Sequence, residues 1–274
     1  MITFLHSFHP QPILISFGLI HIYWYGLFMV LGITAALFVI LKLTPYYHLE
    51  KSQIFDLSFW LIILGLVGSR LYDDLLNLPY YLNHPVDSLK IWQGGLAIHG
   101  AIVAGLIVIW IFSKKNKIGF WRLSALIVPG LALGQAIGRW GNYFNQEIFG
   151  QATNLPWGVP IDLANRPLSY INSPFFQPTF LYESLGCFLI FLILLSINLY
   201  RIKKTALNRQ FFIWSTAGYV ILYSILRFFL EFIRIDTTPD FWGWRLPQII
   251  SLLLVLASLF VLTLNSHASS TKKQ

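Results

Sequence analysis

Residues 178–199 read PTFLYESLGCFLIFLILLSINL, and this stretch decides which kind of fold the chain can adopt. Its only charged residue is Glu183, and a helix needs about 20 mainly apolar residues to cross a hydrocarbon core about 30 Å thick. Stretches of the same character recur along the chain, and together they lie at residues 20–42, 54–72, 94–112, 122–140, 178–199, 211–232 and 246–264. The sequence therefore predicts an all-α polytopic membrane protein with seven transmembrane helices.

The composition of the whole chain supports the same fold class. Hydrophobic residues make up 56% of the 274 residues and charged residues only 11%, whereas an ordinary soluble chain carries about 25% charged residues. A chain with so little charge cannot cover its surface for water, which excludes soluble, disordered and coiled-coil classes. The single cysteine, Cys187, lies in an apolar run, which excludes a disulfide framework and a CxxC metal pair.

The positions of the basic residues predict the orientation in the membrane. Most of the 19 lie in the loops after the first, third and fifth segments or in the C-terminal tail: Lys42, Lys51, Lys114, Lys115, Lys117, Arg122, Arg201, Lys203, Lys204, Arg209, Lys272 and Lys273. Basic loops stay cytoplasmic, so we expect the N-terminus outside and the C-terminus in the cytoplasm. Residues 1–274 are then one membrane-embedded domain, with residues 141–177 as an outer cap. The partner of this basic chain is the lipid bilayer and not nucleic acid.

The remaining basic residues are expected on the outer side, and six of these seven are arginines: Arg70, Lys90, Arg139, Arg166, Arg227, Arg234 and Arg245. Topology needs only positive charge, whereas the planar guanidinium fork favours bidentate binding of phosphate or carboxylate. We interpret the group as an anion site. Interfacial snorkelling explains Arg70, Arg166 and Arg245 equally well, but it explains Arg139 and Arg227 less well because they lie among apolar residues.

The fourth segment ends in a cluster of polar residues. Its small residues recur every four positions, at Gly130, Gly134 and Gly138. Such a stripe favours close packing of a neighbouring helix. Arg139, Asn142, Asn145 and Glu147 follow within nine residues, and polar groups at this depth are costly unless they pair or bind something. A capping network is the structural alternative to a binding site.

The sixth segment carries charges on one helical face. Tyr223, Arg227, Glu231 and Arg234 are spaced by four, four and three residues, so they share a face of a continuous helix. Two arginines flanking one glutamate leave a surplus positive charge that favours an anion. Structural ion pairing is the alternative.

The third and first segments supply residues that suit proton transfer and head-group contact. His99 lies among Gly94, Gly95 and Gly100, and histidine moves protons readily at neutral pH, although a lone histidine is also a common core residue. Tyr25, in HIYWYG, suits either a site or an aromatic belt. The chain has no HExxH, GxSxG or P-loop motif and no zinc spacing among its seven histidines, so we predict neither a metal nor a cofactor.

The polar residues of several segments converge on the outer half of the membrane in this topology. They are Tyr25, Arg70, His99, Arg139, Asn142, Glu147, Glu183, Arg227, Glu231 and Arg234. The sequence therefore predicts a site that opens to the outer leaflet and handles a phosphate compound, for which phospholipid head groups are the obvious candidates.

The run GRWGNYFNQEIFG at residues 138–150 resembles the signature of bacterial prolipoprotein diacylglyceryl transferases, G-R-x-G-N-F-x-N-x-E-x-[FY]-G, with Tyr143 in place of the usual Phe. The resemblance extends over nearly the whole chain and includes WYG, GSR, GGLAIHG, QPTFLYES and RFFLEFIR. The chain departs from the family pattern at GAIVAG after His99, at Asp73 and Asp74, and at Gln177.

The resemblance implies an enzyme of the bacterial inner membrane that moves the diacylglyceryl group of phosphatidylglycerol onto the lipobox cysteine of a preprolipoprotein. It implies that Arg139 and Arg227 bind the head group and stabilise the leaving phosphate, and that either His99 or an arginine-linked network takes the thiol proton. Asn142 and Glu147 would order the Arg139 loop, and Tyr25 would contact the lipid. The supporting residues would be Arg70, Asn145, Gly150, Tyr182, Glu183, Tyr223, Glu231 and Arg234. A phospholipid flippase or anion transporter is the alternative, although the chain shows no inverted repeat.

Overall fold

The structure is a computed structural model that describes residues 2–18 and 20–270. Its α-helices are α1 (Ile2–Ser7), α2 (Trp24–Leu43), α3 (Lys51–Leu76), α4 (Leu78–Asn83), α5 (Ile98–Lys115), α6 (Phe120–Phe144), α7 (Thr179–Lys203), α8 (Arg209–Leu230) and α9 (Leu246–Ser270). Seven of them are long and apolar enough to cross a membrane. The predicted fold class and the seven spans are confirmed, whereas the orientation of the termini stays a prediction.

In the described part of the chain, three short antiparallel strand pairs lie between helices. They are β1 (Ile13–Phe17) with β2 (Ile20–Tyr23), β3 (Val159–Pro160) with β4 (Phe175–Phe176), and β5 (Asp240–Phe241) with β6 (Trp244–Arg245). The first predicted segment began at residue 20, but residues 20–23 form β2 and the helix begins at Trp24. The β-branched residues Ile20 and Ile22 suit a strand better than the first turn of a helix.

The start of the third span differs from the prediction for a backbone reason. Gly94 and Gly95 have φ values of +94° and +71°, which no residue of a right-handed helix adopts. Helix α5 therefore begins at Ile98, four positions after the predicted start. The sixth span also ends early, because α8 stops at Leu230 and the chain turns there.

The chain divides into two compact units, Ile40–Leu126 on one hand and Met1–Val39 with Ile127–Gln274 on the other. In the first unit, α3 packs closely on α5. A Cβ atom added to Gly100 would collide with the carbonyl oxygen of Gly68, so the two backbones touch. The single-domain assignment stays a prediction.

The second unit contains most of α2 and α6 together with α7, α8 and α9. Gly134 of the α6 stripe serves packing: a Cβ atom added to Gly32 of α2 would lie 2.9 Å from the carbonyl oxygen of Gly134, whereas a Cβ atom added to Gly138 would meet nothing within 4 Å. Small residues at such a contact let two helix backbones approach.

The loop between α6 and α7 is folded against the ends of both helices. Gln146 donates to Pro10 O at 2.8 Å and to Asp162 Oδ2 at 2.7 Å. Trp157 Nε1 donates to the Tyr182 hydroxyl at 2.8 Å. Below these bonds lies an apolar cluster: Leu5, Tyr143, Val159, Ile161, Phe176, Phe180 and Leu181. These contacts hold residues 145–178 on the end of α6, where the signature residues lie.

Candidate active site

Arg139 lies near the end of α6 and joins it to α7. Its Nη2 atom donates to Glu183 Oε1 at 2.8 Å, and its Nη1 atom donates to Asn142 Oδ1 at 3.1 Å. Only 2% of the Glu183 side chain is exposed, and a buried carboxylate is stable only when a cation or hydrogen-bond donors compensate it. The pair therefore fixes the direction of the Arg139 guanidinium group.

The signature residues after Arg139 continue the same network. Asn142 Nδ2 donates to Glu147 Oε1 at 2.8 Å, and Asn145 Nδ2 approaches the same oxygen at 3.4 Å. The backbone turns sharply beyond α6, with positive φ at Gln146 and Ile148. Asn142 and Glu147 thus connect the turn to Arg139, which is the geometry expected of residues that order its loop.

Gly150 closes the turn against the segment after α8. It pairs with Arg234 in an isolated β-bridge. A Cβ atom added there would lie 2.8 Å from Ile233 Cγ2 and 2.9 Å from Thr179 Cγ2. Any larger residue would push these segments apart.

Helix α8 contributes to the site through Tyr223 and Arg227. The Tyr223 hydroxyl donates to Glu183 Oε1 at 3.0 Å, so this one oxygen receives both Arg139 and Tyr223. Arg227 forms an ion pair with Glu231, Nη1 to Oε2 at 2.8 Å. The charge of Glu183 also acts on Arg227. Glu183 therefore interacts with both arginines.

Glu231 is shared between two arginines, but the partner is not the one that the helical spacing predicted. Its Oε1 atom lies 3.2 Å from Arg245 Nε, and its side chain is fully buried. The prediction placed Arg234 on the face of Glu231, which required α8 to continue past residue 230. Helix α8 ends at Leu230, and the ion-pair partner of Arg234 is Asp236, but the Arg234 backbone N–H still donates to Leu230 O at 3.3 Å. The grouping of these four residues in one site stays a prediction.

Arg234 pairs with Asp236 instead. The guanidinium group makes a bidentate contact, Nε to Oδ1 at 2.7 Å and Nη2 to Oδ2 at 3.1 Å. Burial by itself raises the pKa of Asp236, but the hydrogen bond from Arg234 and the charges of Arg234, Arg245 and Arg227 outweigh burial and lower that pKa below its ordinary value. Arg234 is therefore neutralised and holds the segment after α8.

Tyr25 packs against the signature turn. A Cβ atom added to Gly141 would lie 2.8 Å from Tyr25 Cδ2, so the ring lies directly on the α6 backbone. The side chain is partly exposed, and the charges of Glu147 and Arg139 both act on its hydroxyl. Tyr25 thus presents a polar group beside Arg139.

Three guanidinium nitrogens among the described residues are buried without a hydrogen-bond acceptor: Arg139 Nε, Arg227 Nη1 and Arg201 Nε. Arg201 lies in the last turn of α7, at the opposite end of that helix from Glu183, so only Arg139 and Arg227 belong to this network. The contact of Arg227 with Glu231 has the distance of an ion pair but not the geometry of a hydrogen bond. A buried donor without an acceptor costs about 1–3 kcal/mol. Both donors therefore favour an added anion with oxygen acceptors.

Arg70 belongs to the other unit and is occupied by the protein itself. It donates to the carbonyl oxygens of Ser88 at 2.9 Å and Gly94 at 2.8 Å, and to those of Gly95 and Asp87. Asp73 and Asp74 flank it at 4.0 and 3.4 Å, and Tyr81 lies under it. These contacts leave little of Arg70 for an anion and support a structural role for it in the loop between α3 and α5. They also explain the two acidic residues at which the chain departs from the family pattern.

His99 lies in the same unit as Arg70, in the first turn of α5, with an exposed side chain. Its ring lies 5.8 Å from that of Tyr72, at a tilted angle. Gly100, next to it, allows the close approach of a backbone, because it packs on the backbone of α3. The structure leaves the ring accessible from the exposed side.

Sequence reasoning missed Arg245, Asp236 and Gln146 as organising residues. Gln146 lies inside the signature but was treated as a variable position, and its buried amide now joins the cap to the N-terminal segment. A usable signal for Asp236 was the run EFIRID, which places an acid two residues after Arg234. For Arg245, the only signal in the sequence for such a role was its position directly before α9. Within the described residues, no group of three His, Cys, Asp or Glu residues could hold a metal ion.

Seven helices long enough to span a membrane and a buried charged network with two unsatisfied guanidinium donors define, within the described residues, a polytopic membrane protein whose site suits an anionic ligand. A family model described as prolipoprotein diacylglyceryl transferase matches residues 12–264. The chain therefore belongs to the prolipoprotein diacylglyceryl transferase family. It is a transferase and a multi-pass protein of the bacterial inner membrane, and the transporter alternative is not supported.

Curated relatives agree over most of their length. A protein of Acaryochloris marina is 39% identical over 244 residues, which cover 89% of this chain and 86% of the relative. A protein of Thermosynechococcus vestitus is 36% identical over 252 residues, covering 91% and 90%. One of Synechocystis sp. is 37% identical over 247 residues, covering 90% and 86%. Each is named phosphatidylglycerol–prolipoprotein diacylglyceryl transferase.

Proposed function

We propose that this chain transfers the sn-1,2-diacylglyceryl group of phosphatidylglycerol to the lipobox cysteine thiol of a preprolipoprotein. The substrate sulfur bonds to the glycerol carbon as the bond from that carbon to the phosphate oxygen breaks. The phosphate oxygen keeps the electron pair and leaves as glycerol 1-phosphate, and a base in the site takes the thiol proton. The product is a thioether, and no nucleic acid or cofactor takes part.

The pair of buried N–H donors on Arg139 and Arg227 is the observation that carries this proposal. A leaving phosphate gains negative charge, and preorganised guanidinium groups stabilise that charge best in a site that excludes water. Glu183 and Glu231 hold the two guanidinium groups before the substrate binds, so little reorganisation is needed. Asn142 and Glu147 keep the Arg139 turn in place, and Tyr25 contacts the head group.

The nucleophile comes from the substrate protein. The chain's own thiol, Cys187, is fully buried within α7 and does not act. A thiol has a pKa of about 8.5 and reacts as its thiolate, so the reaction needs a proton acceptor. His99 is our first candidate because its ring is exposed and an imidazole nitrogen can accept a proton; an arginine-linked network is the second.

The test uses the full-length protein in detergent with phosphatidylglycerol and a lipobox peptide. We expect glycerol phosphate release and lipidated peptide in equal amounts. A peptide with serine in place of the lipobox cysteine is the matched control, and we expect it to give neither product. Release of glycerol phosphate at the same rate with both peptides would mean lipid hydrolysis and would contradict the proposal.

A further inference from the structure

Arg245 is the last residue of β6 and lies directly before α9. Its guanidinium group contacts one short segment of chain. It donates to the carbonyl oxygens of Glu231 at 3.1 Å, Arg234 at 2.6 Å and Asp236, and to Thr238 Oγ1 at 2.8 Å. It therefore fixes the path of the chain as it leaves α8.

The same guanidinium group also reaches the Glu231 carboxylate. Arg245 Nε lies 3.2 Å from Oε1, while Arg227 Nη1 lies 2.8 Å from Oε2. Both contacts are ion pairs without hydrogen-bond geometry at the carboxylate oxygens, and the Nε–H of Arg245 donates to Thr238 Oγ1 instead. The Glu231 side chain is completely buried, so solvent screens neither contact. One negative charge is thus divided between two cations. Asp236 pairs closely with Arg234 and lies 3.9 Å from Arg245 Nη2, so the three arginines Arg227, Arg234 and Arg245 keep one positive charge more than the two carboxylates neutralise.

We propose that Arg245 is a positioning residue for the transfer reaction, and that it acts on Arg227 through Glu231. By attracting one carboxylate oxygen with its charge, Arg245 keeps Glu231 from closing on Arg227 with both oxygens in a fork. Arg227 then keeps donors and positive charge for the phosphate. This inference rests on the proposed function in one respect, that Arg227 contacts the phosphate of the lipid.

Removing Arg245 has a defined consequence. Both oxygens of Glu231 become available to Arg227, and a bidentate Arg–carboxylate pair is the preferred geometry of that couple. The guanidinium group is then neutralised and turned away from the phosphate. Binding of the anionic lipid is weakened, whereas the peptide, which does not depend on Arg227 charge, is bound as before.

The experiment compares Arg245→Gln, Arg245→Lys and the wild type in steady-state transfer, with phosphatidylglycerol in mixed micelles and the lipobox peptide varied separately. We expect Arg245→Gln to raise KM for the lipid about tenfold, within the range of coupling found inside one hydrogen-bonded network, with KM for the peptide unchanged. Arg245→Lys keeps a cation beside Glu231 but loses most of the carbonyl contacts. We therefore expect it to recover most of the lipid KM.

Two further variants separate positioning from mere support of the loop. Thr238→Val removes one hydrogen bond to Arg245 and no charge, and we expect an unchanged lipid KM. Arg166→Gln is the matched loop control, since Arg166 also donates to backbone carbonyl oxygens, those of Ile161 and Ile171. In the Glu231→Gln background, adding Arg245→Gln should change the lipid KM by less than twofold.

Equal losses of thermal stability in Arg245→Gln and Arg245→Lys, with both KM values unchanged, would overturn the inference and leave Arg245 as a loop clamp. Additive effects of Arg245→Gln and Glu231→Gln on the lipid KM would overturn it as well. If the wild type itself formed no lipidated peptide, the proposed function would fail. That outcome is distinct from a wild type that is active and an Arg245→Gln variant that matches it.

Discussion

Arg139 and Glu183 form an ion pair of 2.8 Å that joins α6 to α7 while only 2% of the glutamate side chain is exposed. The pair occupies one edge of the guanidinium group, and Asn142 occupies Nη1. The Nε donor is left buried and without an acceptor. A side chain held in this way is preorganised toward a ligand on its remaining edge.

The first prediction concerns this preorganisation. We expect Arg139→Ala and Arg227→Ala each to lower the transfer rate roughly 30- to 1000-fold, since a lost charged contact in a dry site costs about 2–4 kcal/mol. Arg139→Lys and Arg227→Lys should recover little, because an ammonium group cannot replace the fork. Single-turnover rates measure the effect, with Arg166→Ala as the control that stays near wild type. Near-native rates in both lysine variants would contradict the fork argument.

Tyr143 supplies a prediction about stability. Its side chain is 4% exposed and stacks on Phe180 with ring centroids 4.7 Å apart, while its hydroxyl lacks a partner among the described residues. A buried hydroxyl without a hydrogen bond costs about 1–3 kcal/mol. We expect Tyr143→Phe to raise the melting temperature in detergent and to leave the transfer rate unchanged. Tyr47→Phe, at another buried tyrosine that does have an acceptor, should lower the melting temperature or leave it unchanged. A lower melting temperature for Tyr143→Phe would mean that the hydroxyl is satisfied.

Asp236 gives a prediction about pH. Its pKa is lower in the folded protein than its ordinary value, mainly through Arg234. A carboxyl group of this kind stabilises the fold above its unfolded pKa of about 3.9, and the contribution is lost as the pH falls through the folded pKa. We expect the wild type to melt above Asp236→Asn at pH 7, with the difference shrinking below about pH 4. A difference that stays constant down to pH 3 would show that the charge of Asp236 does not contribute.

The orientation in the membrane is open to a direct test. The basic loops predict a cytoplasmic C-terminus and an outer cap between α6 and α7. We expect green fluorescent protein fused to the C-terminus to fluoresce and alkaline phosphatase at the same position to be inactive. Fusions within the cap should give the reverse. Phosphatase activity at the C-terminus would invert the topology.

Much of the fold was predictable because the composition of a stretch of sequence shows whether it can cross a bilayer. Seven apolar stretches are visible in the sequence, and their helices follow from the need to satisfy the backbone in lipid. The ends were less predictable. Because Gly94 and Gly95 have positive φ values, α5 begins later than predicted. The presence of a glycine in a sequence does not show which backbone conformation it adopts.

The network around Glu183 and Glu231 was only partly predictable. Spacing along α8 identified Arg227 as a partner of Glu231, because helical neighbours are encoded locally. Arg245 is 14 residues from Glu231, across a turn and two short strands, and no periodicity relates them. The partners of Glu183 lie on α6 and α8. These contacts also depend on tertiary packing, so spacing along one helix does not reveal them.

His99 carries the last prediction, because the structure changes part of its argument. Helix α5 begins at Ile98, so His99 lies about 1.5 Å along the helix from its first residue. The predicted span began at residue 94 and placed His99 several residues deeper. An exposed ring at the start of a spanning helix suits contact with an incoming thiol near the interface. If His99 is the base, His99→Gln should slow single-turnover transfer about 100- to 10,000-fold and leave lipid binding unchanged. Raising the pH toward the thiol pKa of about 8.5 should recover part of the rate, since the peptide then ionises unaided.

The matched control for His99 is His84→Gln, since His84 is also exposed in the unit formed by Ile40–Leu126 and its ring stacks on Tyr80. We expect this variant to keep the wild-type rate and pH profile. Rate against pH, measured for the three proteins in one detergent, decides between the two candidate bases. Parallel profiles for wild type and His99→Gln would exclude His99 as the base. The proton would then pass to the network of Arg139, Glu183 and Tyr223, where a titratable carboxylate already accepts two hydrogen bonds.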